Sequence, residues 1–175
     1  MIKVGCCGFP IKREIYYQAF QVVEVQQTFY QLPLLTTGKR WREKAPPNFE
    51  FTIKAWQLIT HEPSSPTYRR LRMKIPGEKK RDYGFFKGMD EIEEAWSKTA
   101  EIARALEAKK ILFQSPASFF PSSGHIKNMK QYFRKIKALP FIRYARKPQV
   151  SNLGMNGILS ERSQVEPGEA EQIGT

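Results

Sequence analysis

Short apolar segments that alternate with helical stretches constrain this chain more than any other feature. "IKVGCCGF" (2–9), "VVEVQQTFY" (22–30), "FEFTIKAW" (49–56) and "KILFQSP" (110–116) read as strands, and "FIRYA" (141–145) is a fifth candidate. Helical stretches fall between them at 13–20 and 36–46, the second stopped by Pro46 and Pro47. Two stronger helices follow at 89–110 and 122–139. In the first of these Ile92, Trp96, Ala100, Ala103 and Leu106 recur at helical spacing, and Asp90 is the expected N-cap. Strand and helix in alternation predict a parallel sheet with right-handed crossovers, either doubly wound or closed as a (β/α)₈ barrel. No GxGxxG follows the first strand and no Walker loop is present, which argues against a nucleotide-binding sheet.

Side-chain parity then raises a question about the second strand. Val23, Val25 and Phe29 share one face, and Glu24, Gln26, Thr28 and Tyr30 the other. A carboxylate inside an apolar strand is costly unless it is paired or wet. The same division recurs on the third strand, where Thr52 and Lys54 oppose Phe51, Ile53 and Ala55, and on the fourth, where Gln114 opposes Ile111 and Phe113. If the apolar faces meet outer helices, the polar residues converge on one lumen, where barrel enzymes keep their sites. Glu24 and Lys54 are then expected on one face of adjacent strands, within ion-pair reach.

Between the third strand and the long helix, residues 62–88 carry Pro, Ser and Gly punctuation and dense basic charge, as a functional loop or insertion does. The whole chain holds 29 Lys and Arg against 17 acids, a net charge of +12. Such a field attracts phosphates, nucleic acid or acidic surfaces. Cys6 and Cys7 are adjacent, too strained to bridge and without the spacing of a zinc or redox motif. His61 and His125 form no HxH or HExxH pattern, so no metal site is expected. No apolar run approaches the roughly 18 residues of a membrane span, and the start of the chain lacks a secretory signal. A cytoplasmic protein without a membrane partner is the simplest expectation.

The segments "VGCCGF" (4–9), "VEVQQTFYQLP" (23–33), "FEFTIKAWQLITH" (49–61), "SPTYRRL" (65–71), "YGFF" (83–86) and "ILFQSPASF" (111–119) resemble the YecE-like family, domain of unknown function 72. The resemblance runs in order over about residues 2–139 and is closest to archaeal-type members. It implies a TIM-type (β/α) barrel without an established reaction or cofactor. The family's polar positions fall on Glu24, Thr28, Tyr30, Lys54, Thr60, His61 and Gln114, with His61 placed at the end of the third strand.

The chain departs from the family pattern after the fourth strand. Residues 141–175 lack alternation and amphipathic helices, and are rich in Ser, Gly, Glu and Gln. A full barrel needs roughly 200 residues or more. The expectation is a partial barrel over 1–145 and a disordered tail over 146–175, as a truncated or frameshifted gene would give. Open sheet edges predict self-association.

Two classes of function follow. In the first, a barrel enzyme or its inactive remnant binds a small anionic or phosphorylated ligand. Glu24, Lys54 and His61 are the catalytic candidates, and Thr28, Tyr30, Thr60 and Gln114 line the ligand. In the second, a nucleic acid or other polyanion binds without chemistry through Arg69, Arg70, Arg72, Lys79, Lys80 and Arg81, with Tyr68 and Tyr83 available for stacking.

Overall fold

The computed structural model describes residues 2–136 and the strand Arg143–Pro148. Five parallel strands form one open sheet in the order β1-β2-β3-β4-β5: Gly5–Cys7, Val22–Val25, Glu50–Lys54, Lys110–Ser115 and Arg143–Pro148. Each strand neighbours the next in sequence, so every connection is a crossover that returns over the sheet. The helices are α1 (Arg13–Ala19), α2 (Gln27–Tyr30), α3 (Leu35–Lys44), α4 (Gln57–Thr60), α5 (Asp90–Ala105) and α6 (Ser123–Lys135). The fifth strand continues beyond residue 145 to Pro148, and the tail expected after it lies outside the described residues.

The apolar sheet face carries the core. Val23, Phe51, Ile53, Ile111 and Phe113 are fully buried there. Each such side chain contributes about 1.5–3 kcal/mol when removed from water. Aromatic rings fill the space under α5 and α6, where Phe86, Phe113, Trp96, Tyr132 and Phe133 pack edge or tilted. At the other end Tyr16 is fully buried, and its hydroxyl accepts from Cys6 N–H at 2.7 Å and donates to Val22 O at 2.9 Å. That single side chain ties β1 to β2. Gly5 is required beside it, since a Cβ there would lie 2.0 Å from Val22 O.

Several boundaries differ from the sequence reading. β2 ends at Val25, and Gln27–Tyr30 turn into a helical segment instead of extending the strand. β3 ends at Lys54, so His61 caps α4 and does not end the strand. Met89 caps α5, and Asp90 is its first residue. A carboxylate in that first turn favours the positive helix end without capping it.

The loop 62–88 folds back onto the domain. It contains two 3₁₀ turns, Pro66–Arg70 and Gly77–Asp82, and closes with a left-handed turn. Gly84, Phe85 and Phe86 have φ of 80°, 53° and 55°. Two non-glycine residues in succession in this region are strained by about 1–3 kcal/mol each. The compensation is that their N–H groups reach Leu58 O, Thr60 O and Ile59 O, the carbonyls that α4 leaves unpaired. Phe86 also enters the core, 1 % exposed.

Gly84→Ala is expected to cost about 2–4 kcal/mol, because the new Cβ would sit 2.7 Å from the backbone of His61 and Glu62. Gly88→Ala, with open space around it, should stay within about 0.5 kcal/mol of the parent in urea denaturation. Alkaline pH gives a second check. Burial is the leading cause that raises the pKa of Tyr16, Tyr17, Tyr68 and Tyr83 in the folded chain. Their stabilisation is complete below the unfolded tyrosine pKa of about 10, and is lost as pH rises beyond it. The urea midpoint should therefore hold steady up to about pH 10 and fall above it, as tyrosinate absorbance rises in the unfolded chain.

Candidate functional site

The sheet face opposite the core carries Glu24, Thr52, Lys54 and Gln114, all of even parity, with Glu24 opposite Thr52, Lys54 opposite Leu112 and Gln114 two residues further along β4. Lys54 is the centre of this group. Its side chain is 6 % exposed, against 20 % for Glu24. The ammonium donates to Gln114 Oε1 at 3.0 Å and lies 3.3 Å from Glu24 Oε1. The ion pair expected from parity is present, but its geometry is Coulombic. Glu24 Oε1 is buried and has no hydrogen bond among the described residues. A buried carboxylate oxygen without a donor is costly, and Lys54 offsets that cost only in part. An ammonium has a further N–H beyond the one given to Gln114.

The backbone of Lys54 is fixed independently of its side chain. Thr28 is fully buried, with its hydroxyl 2.8 Å from Lys54 O and 2.7 Å from Val25 O. It donates to one of these carbonyls and accepts from Lys54 N–H at 3.1 Å. The early end of β2 makes this possible, because α2 turns Thr28 across the end of β3. Thr28 therefore holds the strand end and does not line an open face, contrary to the parity argument.

Tyr30 is also displaced from that face. Its carbonyl accepts from Gln57 Nε2 at 2.9 Å and from Trp56 Nε1 at 3.4 Å, both just after β3. Its ring lies under the Arg70 guanidinium at 3.7 Å. Thr60 and His61 form a separate buried pair, Oγ1 to Nδ1 at 2.8 Å, with the imidazole edge-on to Phe29 at 4.9 Å. His61 O accepts from the Tyr68 hydroxyl at 2.7 Å. The structure thus brings together Glu24, Lys54 and Gln114, with Thr28 on the Lys54 backbone, and pairs Thr60 with His61 at the end of α4.

Among the basic loop residues, Arg69, Arg70, Arg72, Lys80 and Arg81 are exposed, while Lys79 pairs with Glu91 at 2.8 Å. Tyr83 is buried in the core, which withdraws its ring from base stacking, and Tyr68 is half-buried against that core with its hydroxyl on His61 O. That removes Tyr83 from the expected aromatic part of the polyanion footprint.

Gln57 was not singled out from the sequence. It is fully buried, and its Oε1 lacks a hydrogen-bond partner among the described residues. The available signal was an amide three residues after the strand end, inside the apolar run "AWQLI". Glu50 was missed as well. It receives Lys3 and lies 3.9 Å from Lys110, at the amino-terminal end of the polar face. The Lys3 hydrogen bond is the main cause that lowers its pKa. Among the described residues no cluster of His, Cys, Asp and Glu could hold a metal ion. No described helix is long and apolar enough to cross a membrane.

Thr28→Val removes the hydroxyl at nearly constant volume and strands the Lys54 amide. A loss of about 1–3 kcal/mol is expected, with Thr28→Ser recovering most of it in the same denaturation assay. Equal stability of the valine and parent proteins would show that the hydroxyl does not hold the strand end.

The fold and this geometry can be set beside known proteins. Residues 12–149 match the family described as "Protein of unknown function DUF72". A DUF72 family protein from Thermotoga maritima MSB8 superposes with a TM-score of 0.56 at 19 % identity, covering 85 % of this chain and 55 % of its own. Another, from Enterococcus faecalis V583, gives 0.54 at 18 % identity, covering 83 % and 51 %. The chain therefore spans about half the length of these solved structures. No curated protein matches it. With most of its length matched by the family and its sheet shared with two of the family's structures, the chain belongs to the DUF72 family, whose function is unknown.

Proposed function

We propose that the protein binds a small anionic or phosphorylated ligand at the carboxyl-terminal ends of β2, β3 and β4. The observation that carries this reading is the unsatisfied Glu24 Oε1 beside the nearly dehydrated Lys54 ammonium. Lys54 supplies the charge that attracts the anion, and Gln114 holds the ammonium in place. Glu24 accepts a hydroxyl or N–H of the ligand and is the proton-transfer candidate of the site. The burial of His61 against Phe29 supports a packing role for it over that of a second proton carrier. Side chains on strands are held more rigidly than those on loops, which suits a binding site.

The exposed Arg69, Arg72, Lys80 and Arg81 keep a polyanion reading in second place, weakened by the burial of Tyr83. The outer strands β1 and β5 have one neighbour each among the described residues, and self-association through these edges is part of the proposal.

A thermal-shift panel of phosphorylated and carboxylated metabolites tests the main reading. A true ligand at about 100-fold its Kd should raise Tm by about 5–10 °C. Lys54→Met and Glu24→Gln should abolish the shift. A ligand whose effect survives Lys54→Met, or a panel without any hit, contradicts the proposal. The polyanion reading predicts instead a salt-steep oligonucleotide affinity, with a log–log slope of about −0.7 per contact, that flattens when Arg69 and Arg72 are replaced.

A further inference from the structure

We infer that Arg70 is the anion-recognising residue of this site, delivered to it by the loop 62–88 and not by a strand. The inference rests on the small-ligand reading above and names the group that reads the ligand's charge. Its ligand class is an oxyanion, a phosphate or carboxylate held by two parallel N–H donors.

An exposed arginine ordinarily samples many rotamers, and holding it costs side-chain entropy. Arg70 is exposed, yet its guanidinium carbon lies 3.7 Å from the centre of the Tyr30 ring, at stacking distance. Stacking of this kind occupies the faces of the guanidinium and leaves its N–H edges free. Among the described residues no carboxylate lies within ion-pair distance of it. The cation is thus oriented without being neutralised.

The placement is fixed from several sides. Ser65 caps the Pro66–Arg70 turn, its side chain accepting from Thr67 N–H. Tyr68 anchors the middle of the turn on His61 O. Just beyond, Arg72 N–H donates to Gln31 Oε1 at 3.1 Å. These contacts tie the loop to the segments that follow β2 and β3. Tyr30 joins the loop to the segment that follows β3. Its ring carries Arg70, and its carbonyl carries Gln57 and Trp56, which follow Lys54 by two or three residues. Arg69 and Arg72, its near neighbours, have no such platform among the described contacts. This distinguishes Arg70 from the general basic surface of the loop.

Inorganic phosphate is the probe, titrated by calorimetry into the full chain at constant ionic strength in chloride. Arg70→Gln should weaken phosphate binding by at least about tenfold. Arg70→Lys, which keeps the charge but loses the fork, and Tyr30→Leu, which removes the platform, should each weaken it by about three- to tenfold. Lys98→Gln, an equal change of charge on exposed α5, should leave it unchanged. Acetate in a parallel titration separates carboxylate from phosphate preference. Circular dichroism and Tm establish that each variant is folded, and Arg70→Lys serves if Arg70→Gln is not. Phosphate binding lost in Lys54→Met but intact in Arg70→Gln would overturn this inference and leave the ligand site standing. A wild-type chain that binds neither anion also overturns it, while the metabolite panel still judges the broader reading. Binding confined to oligonucleotides, and lost equally with Arg69 or Arg72, would assign Arg70 to a polyanion surface.

Discussion

Lys54 is held at both ends, and the rest of the site depends on that. Thr28 fixes its amide and carbonyl across the end of β2, and Gln114 fixes its ammonium from β4. A lysine so dehydrated is usually a liability, because its desolvation competes with whatever attraction it gains. Here its carboxylate neighbour is close but poorly aligned, so the pair does not fully satisfy itself. A pair kept for stability alone would be expected to close into a charge-assisted hydrogen bond. The residual mismatch is what a third, external group can complete.

The same region stores strain on its other side. The left-handed turn 84–86 occupies an unfavourable backbone region in order to satisfy the carbonyls of α4 and to seat Phe86 in the core. It also fixes where the loop 62–88 ends. The loop's start is fixed by Tyr68 on His61. A long basic segment is thereby tied to the segments that follow β2 and β3, with its arginines exposed and Arg70 seated on Tyr30.

The alternation of elements was legible because each strand shows a period of two and each long helix a period near 3.6. Parity correctly put Glu24, Lys54 and Gln114 on one face, since residues 24, 54 and 114 lie inside the strands. It failed for Thr28 and Tyr30 because β2 turns helical after Val25, and β-branched and aromatic residues there look like strand continuation. The position of His61 was misplaced for the same reason, with α4 inserted between it and β3. Tyr68 and Tyr83 looked available for stacking because they sit among charges, yet the loop folds inward, buries Tyr83 and half-buries Tyr68. Nothing local in sequence announces a contact such as Arg70 on Tyr30, which spans 40 residues.

The central claim is that the polar row is retained for binding and not for holding the sheet together. The double variant Glu24→Gln/Lys54→Met tests it most directly, by urea denaturation against the parent chain. Replacing a partly buried, imperfect ion pair with neutral groups of similar volume is often neutral or stabilising. The account predicts that the double variant unfolds at the same urea concentration as the parent or a higher one, while both single variants are less stable. A double variant less stable than the parent by more than about 2 kcal/mol would show that the pair is a structural bridge, and would contradict the account.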